Sequence, residues 1–243
     1  SNAEWPMVNS VSRVLTHRIG FAVANREVGV MMIMTDNHAI SISAPIRVEP
    51  VQARSTARVN ALLDAACETM HQFGYEQLTT AMVAKRAGAS IGTVYRYFPD
   101  RIAVLQAVAA RNLDKLLFSL KDNQALDTPK DLSAAMTVAV DTLVEMFRTE
   151  KGFRSLRVGD VLDIRPIPAG RRGNADIAQA IREDLQERAN VRLDSAGRLA
   201  VETAIDVVDA LLGRAFMVSE RGDATLIDEA HRVAQLTVKA VSS

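Results

Sequence analysis

Cysteine is almost absent from this chain of 243 residues: Cys67 is the single one. One cysteine excludes an intramolecular disulfide and suits a reducing compartment, so a cytoplasmic location is expected. Cys67 stands beside Ala66 and near Met70 in a helical stretch, which reads as a packed thiol rather than a reactive one. The four histidines, His17, His38, His71 and His231, have no metal-ligand spacing with it, and no metal site is expected. No run of about 18 apolar residues occurs, so neither a transmembrane span nor a membrane partner is expected. An excess of either charge is missing too. The 29 Lys and Arg balance 29 Asp and Glu, which argues against a nonspecific nucleic-acid coat. There is no Ser/His/Asp constellation and no phosphate-binding glycine loop, so neither an enzyme nor a cofactor is expected. Strand-like alternation, internal repeats and low-complexity tracts are also lacking, which leaves an all-α chain.

What the chain does contain is helical periodicity and an uneven distribution of charge. Residues 53–121 carry nine Lys and Arg against five Asp and Glu, while residues 122–243 carry sixteen against twenty. A basic front and an acidic rear suit a protein that meets phosphates at one end. Val59, Leu62, Leu63, Ala66, Met70 and Phe73 form one stripe of a helix expected over 55–73, with Gly74 placed to end it. Pro99 is expected at the first position of a longer helix, whose stripe runs Ile102, Leu105, Ala109, Leu113, Leu116 and Leu120. Further helices are expected over 131–148, 174–190, 195–221 and 223–241. A break is expected at Lys151-Gly152, and a loop over 164–173, where two prolines and two glycines exclude a regular helix. Ser1-Asn2-Ala3 reads as the scar of a cleaved expression tag. Residues 4–50 read as a poorly ordered arm, or as sequence upstream of a start at Met34.

The run from Thr79 to Phe98 is the most informative. It reads as two short helices joined by a tight turn, the form that sets a second helix into the DNA major groove. Thr79 or Thr80 supplies the first N-cap and Ser90 the second. Val83, Ala84 and Ala87 share one apolar face, and Gly88 sits where the turn needs positive φ. Val94 points inward, which leaves Ile91, Gly92, Thr93, Tyr95 and Arg96 to face outward. With Phe73-Gly74-Tyr75 before it and Phe98-Pro99-Asp100-Arg101 after it, the segment over about 53–105 resembles the DNA-binding head of the tetracycline-repressor (TetR) family. The resemblance implies an all-α protein with a three-helix helix-turn-helix head and a larger helical body that binds an effector and dimerises. The expected division is arm 1–50, head 51–100 and body 101–243. The expected function is a repressor released from a near-palindromic double-stranded DNA operator by a small molecule. The rival is a regulator of the same fold without ligand control.

DNA binding needs phosphate clamps and base-edge readers. Arg54 and Arg58, on the first helix, are candidate clamps, as are Thr79 and Thr80 at a helix start. The resemblance adds Tyr95, Tyr97 and Arg101, whose counterparts touch the DNA backbone. Ser90, Ile91, Gly92, Thr93 and Arg96 are the candidate readers. Arg96 suits guanine, and the methyl groups of Ile91 and Thr93 suit thymine. The arm is a further candidate for minor-groove contact. For the effector, whose pocket the resemblance implies, candidate lining residues are Phe118, Met136, Leu143, Phe147 and Phe153, with Asp160, Asp163 or Arg165 as polar anchors. In the last two helices, Val201, Ile205, Val208, Leu212, Ala215 and Phe216 cover one face, and Val207, Leu211 and Val218 widen it. A helix apolar on two sides needs two covers. The resemblance implies a dimer interface on these helices, expected at Val201, Ile205, Val208, Leu212, Phe216, Ala230 and Val233; a pair buried within a monomer is the alternative.

Overall fold

Short polar side chains mark where six of the helices begin. Thr79, Ser90, Asp100, Asp131, Asp194 and Asp223 each accept the backbone N–H of the residue three positions on. Each satisfies a donor that a helix start leaves free. The computed structural model describes residues 49–126, 129–158 and 173–240, with the side chains of 49–53, 125 and 126 outside the description. These residues form nine helices and no strand: α1 (Glu49–Phe73), α2 (Thr80–Arg86), α3 (Ile91–Tyr97), α4 (Arg101–Leu126), α5 (Leu132–Thr149), α6 (Lys151–Ser155), α7 (Asn174–Ala189), α8 (Ser195–Val218) and α9 (Ala224–Lys239). None of them is long and apolar enough to cross a membrane. The arm expected over 4–50 lies outside the described residues up to position 48, and so do the loop residues 164–172 and the anchors Asp160, Asp163 and Arg165.

The chain divides into two compact units, 1–55 and 56–243. The first is described only over 49–55, which are helical. In the second, buried apolar side chains collect in two clusters. The head cluster joins Leu62, Ala66 and Met70 of α1 to Val83 of α2, Val94 of α3, and Val104, Leu105 and Val108 of α4. It also takes in Leu156, just past α6. The body cluster begins lower on α4, at Leu113, and gathers side chains from α5, α7, α8 and α9. A boundary at residue 100 therefore does not separate the two cores. The first turns of α4 belong to the head, because Val104 and Val108 point at α1–α3.

Several boundaries differ from expectation. α1 starts at Glu49, six residues before Ser55. Pro99 is not the first residue of α4. Asp100 takes the cap by accepting the Ala103 N–H, so Pro99 precedes it. The break at Lys151-Gly152 is a new start rather than an interruption, because Glu150 leaves helical geometry (φ −101°, ψ 95°) and α6 follows at once. Gly152 is needed there: a Cβ on it would lie 2.3 Å from Cys67 Sγ. The α8–α9 turn needs glycine for two reasons. Gly222 has φ +82°, and a Cβ would press on Phe216 and Ile227 at 2.8 and 2.7 Å.

Candidate DNA interface

The turn between α2 and α3 is built by the backbone. Ala89 N–H donates to Ala84 O at 2.9 Å, and Gly88 takes φ +59°. Of the two candidate caps, Thr79 closes α2 by accepting from Met82 N–H at 3.2 Å. Thr80 is the first helical residue, and its hydroxyl donates toward Tyr95 Oη at 3.4 Å, tying the start of α2 to α3. Ser90 Oγ accepts from Thr93 N–H at 3.1 Å and shares a 2.9 Å hydrogen bond with Thr93 Oγ1. Val94 is fully buried and anchors α3 in the head core.

The opposite side of α3 is open. Ser90, Ile91, Gly92, Tyr95 and Arg96 are exposed, while Thr93 and Tyr97 are half-buried. A Cβ added at Gly92 would meet only Ser90 Oγ, at 3.8 Å, so no neighbour among the described residues requires glycine there. Arg58 is exposed on α1, and Arg54 is exposed within the unit 1–55. The last turn of α2 adds Lys85 and Arg86, both exposed. Arg86 donates to Gln72 Oε1, which leaves Lys85 as the exposed cation that the sequence reading overlooked. Its signal was available: it stands one turn before the α2–α3 turn, off the Val83–Ala84–Ala87 face. Arg101 departs from expectation. Its guanidinium is part-buried and donates to Tyr75 O at 2.8 Å, bracing the loop after α1. One of its nitrogens is therefore engaged within the head rather than left for a phosphate.

The proposed effector residues divide. Met136, Leu143, Phe147 and Phe153 lie together in the body core, fully buried. Phe147 stacks on Phe216 with centroids 5.0 Å apart and meets Phe153 edge-on, also at 5.0 Å. Phe118 does not join them. It is 74% exposed, because its position on α4 turns away from the Leu113–Leu116–Leu120 stripe. Polar groups do enter the body. Asp209 of α8 is 1% exposed and accepts from Arg157 Nε at 3.0 Å and from Asn174 Nδ2 at 3.3 Å. Arg157 also lies 3.9 Å over the Phe153 ring.

The dimer residues need correction. Val201, Ile205, Val208, Leu212, Phe216 and Ala230 are buried within the single chain and pack its own core, so they have no surface to offer a partner. Val233 is half-buried. The free apolar face of α8 is the other one, with Leu199, Val207, Met217 and Val218 exposed, and α9 adds Leu236. At 3.6 residues per turn these α8 positions fall opposite the core stripe.

Residues 62–108 match the family described as "Bacterial regulatory proteins, tetR family", and residues 130–238 match "Tetracyclin repressor-like, C-terminal domain". The chain belongs to the tetR family. The TetR-family transcriptional regulator from Streptomyces coelicolor has the same fold, with a TM-score of 0.63, 27% identity, and coverage of 76% of this chain and 99% of that one. The transcriptional regulator FadR from Bacillus subtilis, in complex with stearoyl-CoA, shares the fold at a TM-score of 0.57 and 18% identity, over 75% of this chain and 98% of that one. The HTH-type transcriptional repressor KstR of Rhodococcus jostii (strain RHA1) is 36% identical over 55 residues. That match covers 23% of this chain and spans about a quarter (26%) of that relative's length.

Proposed function

We propose that this chain is a sequence-specific DNA-binding transcriptional regulator. It acts as a homodimeric repressor that a small molecule held in the body releases from a near-palindromic operator. The observation that carries the reading is the outward side of α3. It presents Ile91, Gly92, Tyr95 and Arg96 on a helix whose inner side is pinned by Val94 and whose start is capped by Ser90. Such a helix fits the major groove, where Arg96 suits the paired acceptors of guanine. Arg58 on α1 and Lys85 on α2, both exposed, supply phosphate charge.

An operator selected from random duplexes and titrated at several salt concentrations tests the reading. Arg58→Gln or Lys85→Gln is expected to weaken binding to all sequences alike and to flatten the log–log salt slope by roughly one. Arg96→Ala is expected to relax preference at one base pair of each half-site. Unchanged salt slopes in both neutral variants, together with unchanged preference in Arg96→Ala, would remove α3 and its surroundings from the DNA.

The apolar body core around Met136, Leu143 and Phe147 favours an apolar or amphipathic effector. Stearoyl-CoA, named with the FadR neighbour, is the first probe. A ligand that prefers the form with poorly spaced heads must lower operator affinity by linkage, typically about 5- to 150-fold. One observation favours the second reading, a regulator without ligand control: four of the five candidate lining residues are closed together in the core. Thermal shift separates the two, because a ligand that binds the folded state raises apparent stability.

A further inference from the structure

We propose that Ile91 reads the C5-methyl group of a thymine in each operator half-site. The inference rests on the DNA-binding reading above and adds the base-edge chemistry that α3 selects. Ile91 is the first residue of α3 and is 43% exposed, a β-branched apolar side chain facing solvent. It packs no core: the residue α3 buries is Val94. The polar side chains beside it are already engaged. Ser90 Oγ accepts from Thr93 N–H and is bonded to Thr93 Oγ1, and Thr93 itself is half-buried. Thr93, half-buried and with its hydroxyl bonded to the cap, is the less accessible of the two methyl-bearing candidates. On the other side stands Gly92, with no side chain to hold a base edge away; a Cβ there would meet Ser90 Oγ in ordinary contact, at 3.8 Å.

An aliphatic side chain offers neither donor nor acceptor. In the major groove thymine alone among the four bases presents a methyl group, so Ile91 gains most against thymine. The exposed cations Lys85 and Arg96 on the same helix pair favour a polyanion as the occupant over an apolar protein surface.

The experiment replaces each thymine of the selected operator, one at a time, with deoxyuridine, which deletes the methyl group and keeps every hydrogen-bonding atom. Binding of the full chain is read by fluorescence anisotropy at fixed salt. One thymine position per half-site is expected to lose roughly fourfold in affinity on replacement, the worth of one buried methyl-sized group. Ile91→Ala is expected to bind the thymine and deoxyuridine operators equally, and Ile91→Val to retain the discrimination. Ile91 is exposed, so both variants should melt like the parent chain, which circular dichroism checks. If no replacement weakens binding, or if the loss persists in Ile91→Ala, the proposal is wrong while DNA binding stands. If no operator can be selected at all, the DNA-binding reading falls and takes this inference with it.

Discussion

At Gly92 the helix forgoes stability that the protein alone would reward. Glycine inside a helix costs about 0.5–1 kcal/mol relative to alanine, and the neighbouring atoms leave room for a methyl group. Gly92→Ala is therefore expected to raise the melting temperature by a few degrees at most, on the order of 1–4 °C. It should weaken operator binding several-fold, because the added Cβ stands where the DNA edge must approach. Thermal melts and anisotropy on one preparation check both signs. Affinity unchanged by the methyl group would show that the DNA does not come close at Gly92. Cys67 behaves in the opposite sense, as a residue fitted to the inside. Burial pushes its thiol above the ordinary range, although the Arg111 guanidinium, 3.3 Å from Sγ, works against that shift. The folded thiol keeps its proton longer than the unfolded one, so stability is full below the ordinary thiol range of about 8.5 and falls as pH rises beyond it. Denaturant titrations between pH 7 and 10 should show this decline, and Cys67→Ala should remove the thiol's share of it.

At the scale of elements, α6 does more than its five residues suggest. Phe153 on it enters the body core, while Leu156 just beyond it enters the head core. Lys151 pairs with Glu68 of α1 at 2.9 Å and holds that carboxyl below the usual range. Arg154 reaches His71 Nδ1 at 3.4 Å and Glu220 O at 3.1 Å, so it touches α1 and the α8–α9 turn together. The joint is tightest where Gly152 meets Cys67. Gly152→Ala is expected to cost about 1–3 kcal/mol, the usual range for overpacking. Cys67→Ala should restore part of that loss in the double variant, because it removes the sulfur that the new methyl group meets. A double-mutant cycle in denaturant measures this coupling. Strict additivity would mean that α6 moves away freely and that the contact is not a constraint.

For the molecule as a whole, the proposed dimer turns on which face of α8 and α9 would meet a second copy. The core stripe of α8 is spent within one chain, whereas Leu199, at 64% exposed, and Leu236, at 53%, are not. A charge at Leu199 or Leu236 is therefore expected to shift sedimentation from dimer to monomer at micromolar concentration, with the helical spectrum and melting little changed. A charge at Leu212 is expected to unfold the body instead. That contrast separates an interface from a core. Two heads can read one face of DNA only when their α3 helices stand about 34 Å apart or a multiple of that, so loss of the dimer should also collapse operator affinity. A monomeric wild-type chain at that concentration would end the dimer proposal.

Local chemistry decided what the sequence by itself could determine. The cap at Ser90, the positive φ at Gly88 and the burial of Val94 depend on near neighbours in the chain. The head motif, the helix starts near 131, 174 and 195, and the all-α class were legible for that reason. Tertiary packing decided the rest. Periodicity shows that α8 is apolar on two sides, but only the packing of α5, α7 and α9 reveals that the Val201–Leu212 side is the one already covered. Arg101 and Phe118 each had a sequence position suited to function. The Tyr75 carbonyl claimed the first, and the rotation of α4 about its buried stripe turned the second to solvent. The closeness of Cys67 to Gly152 joins positions 85 residues apart, a pairing that no local pattern encodes and that depends on how the helices cross.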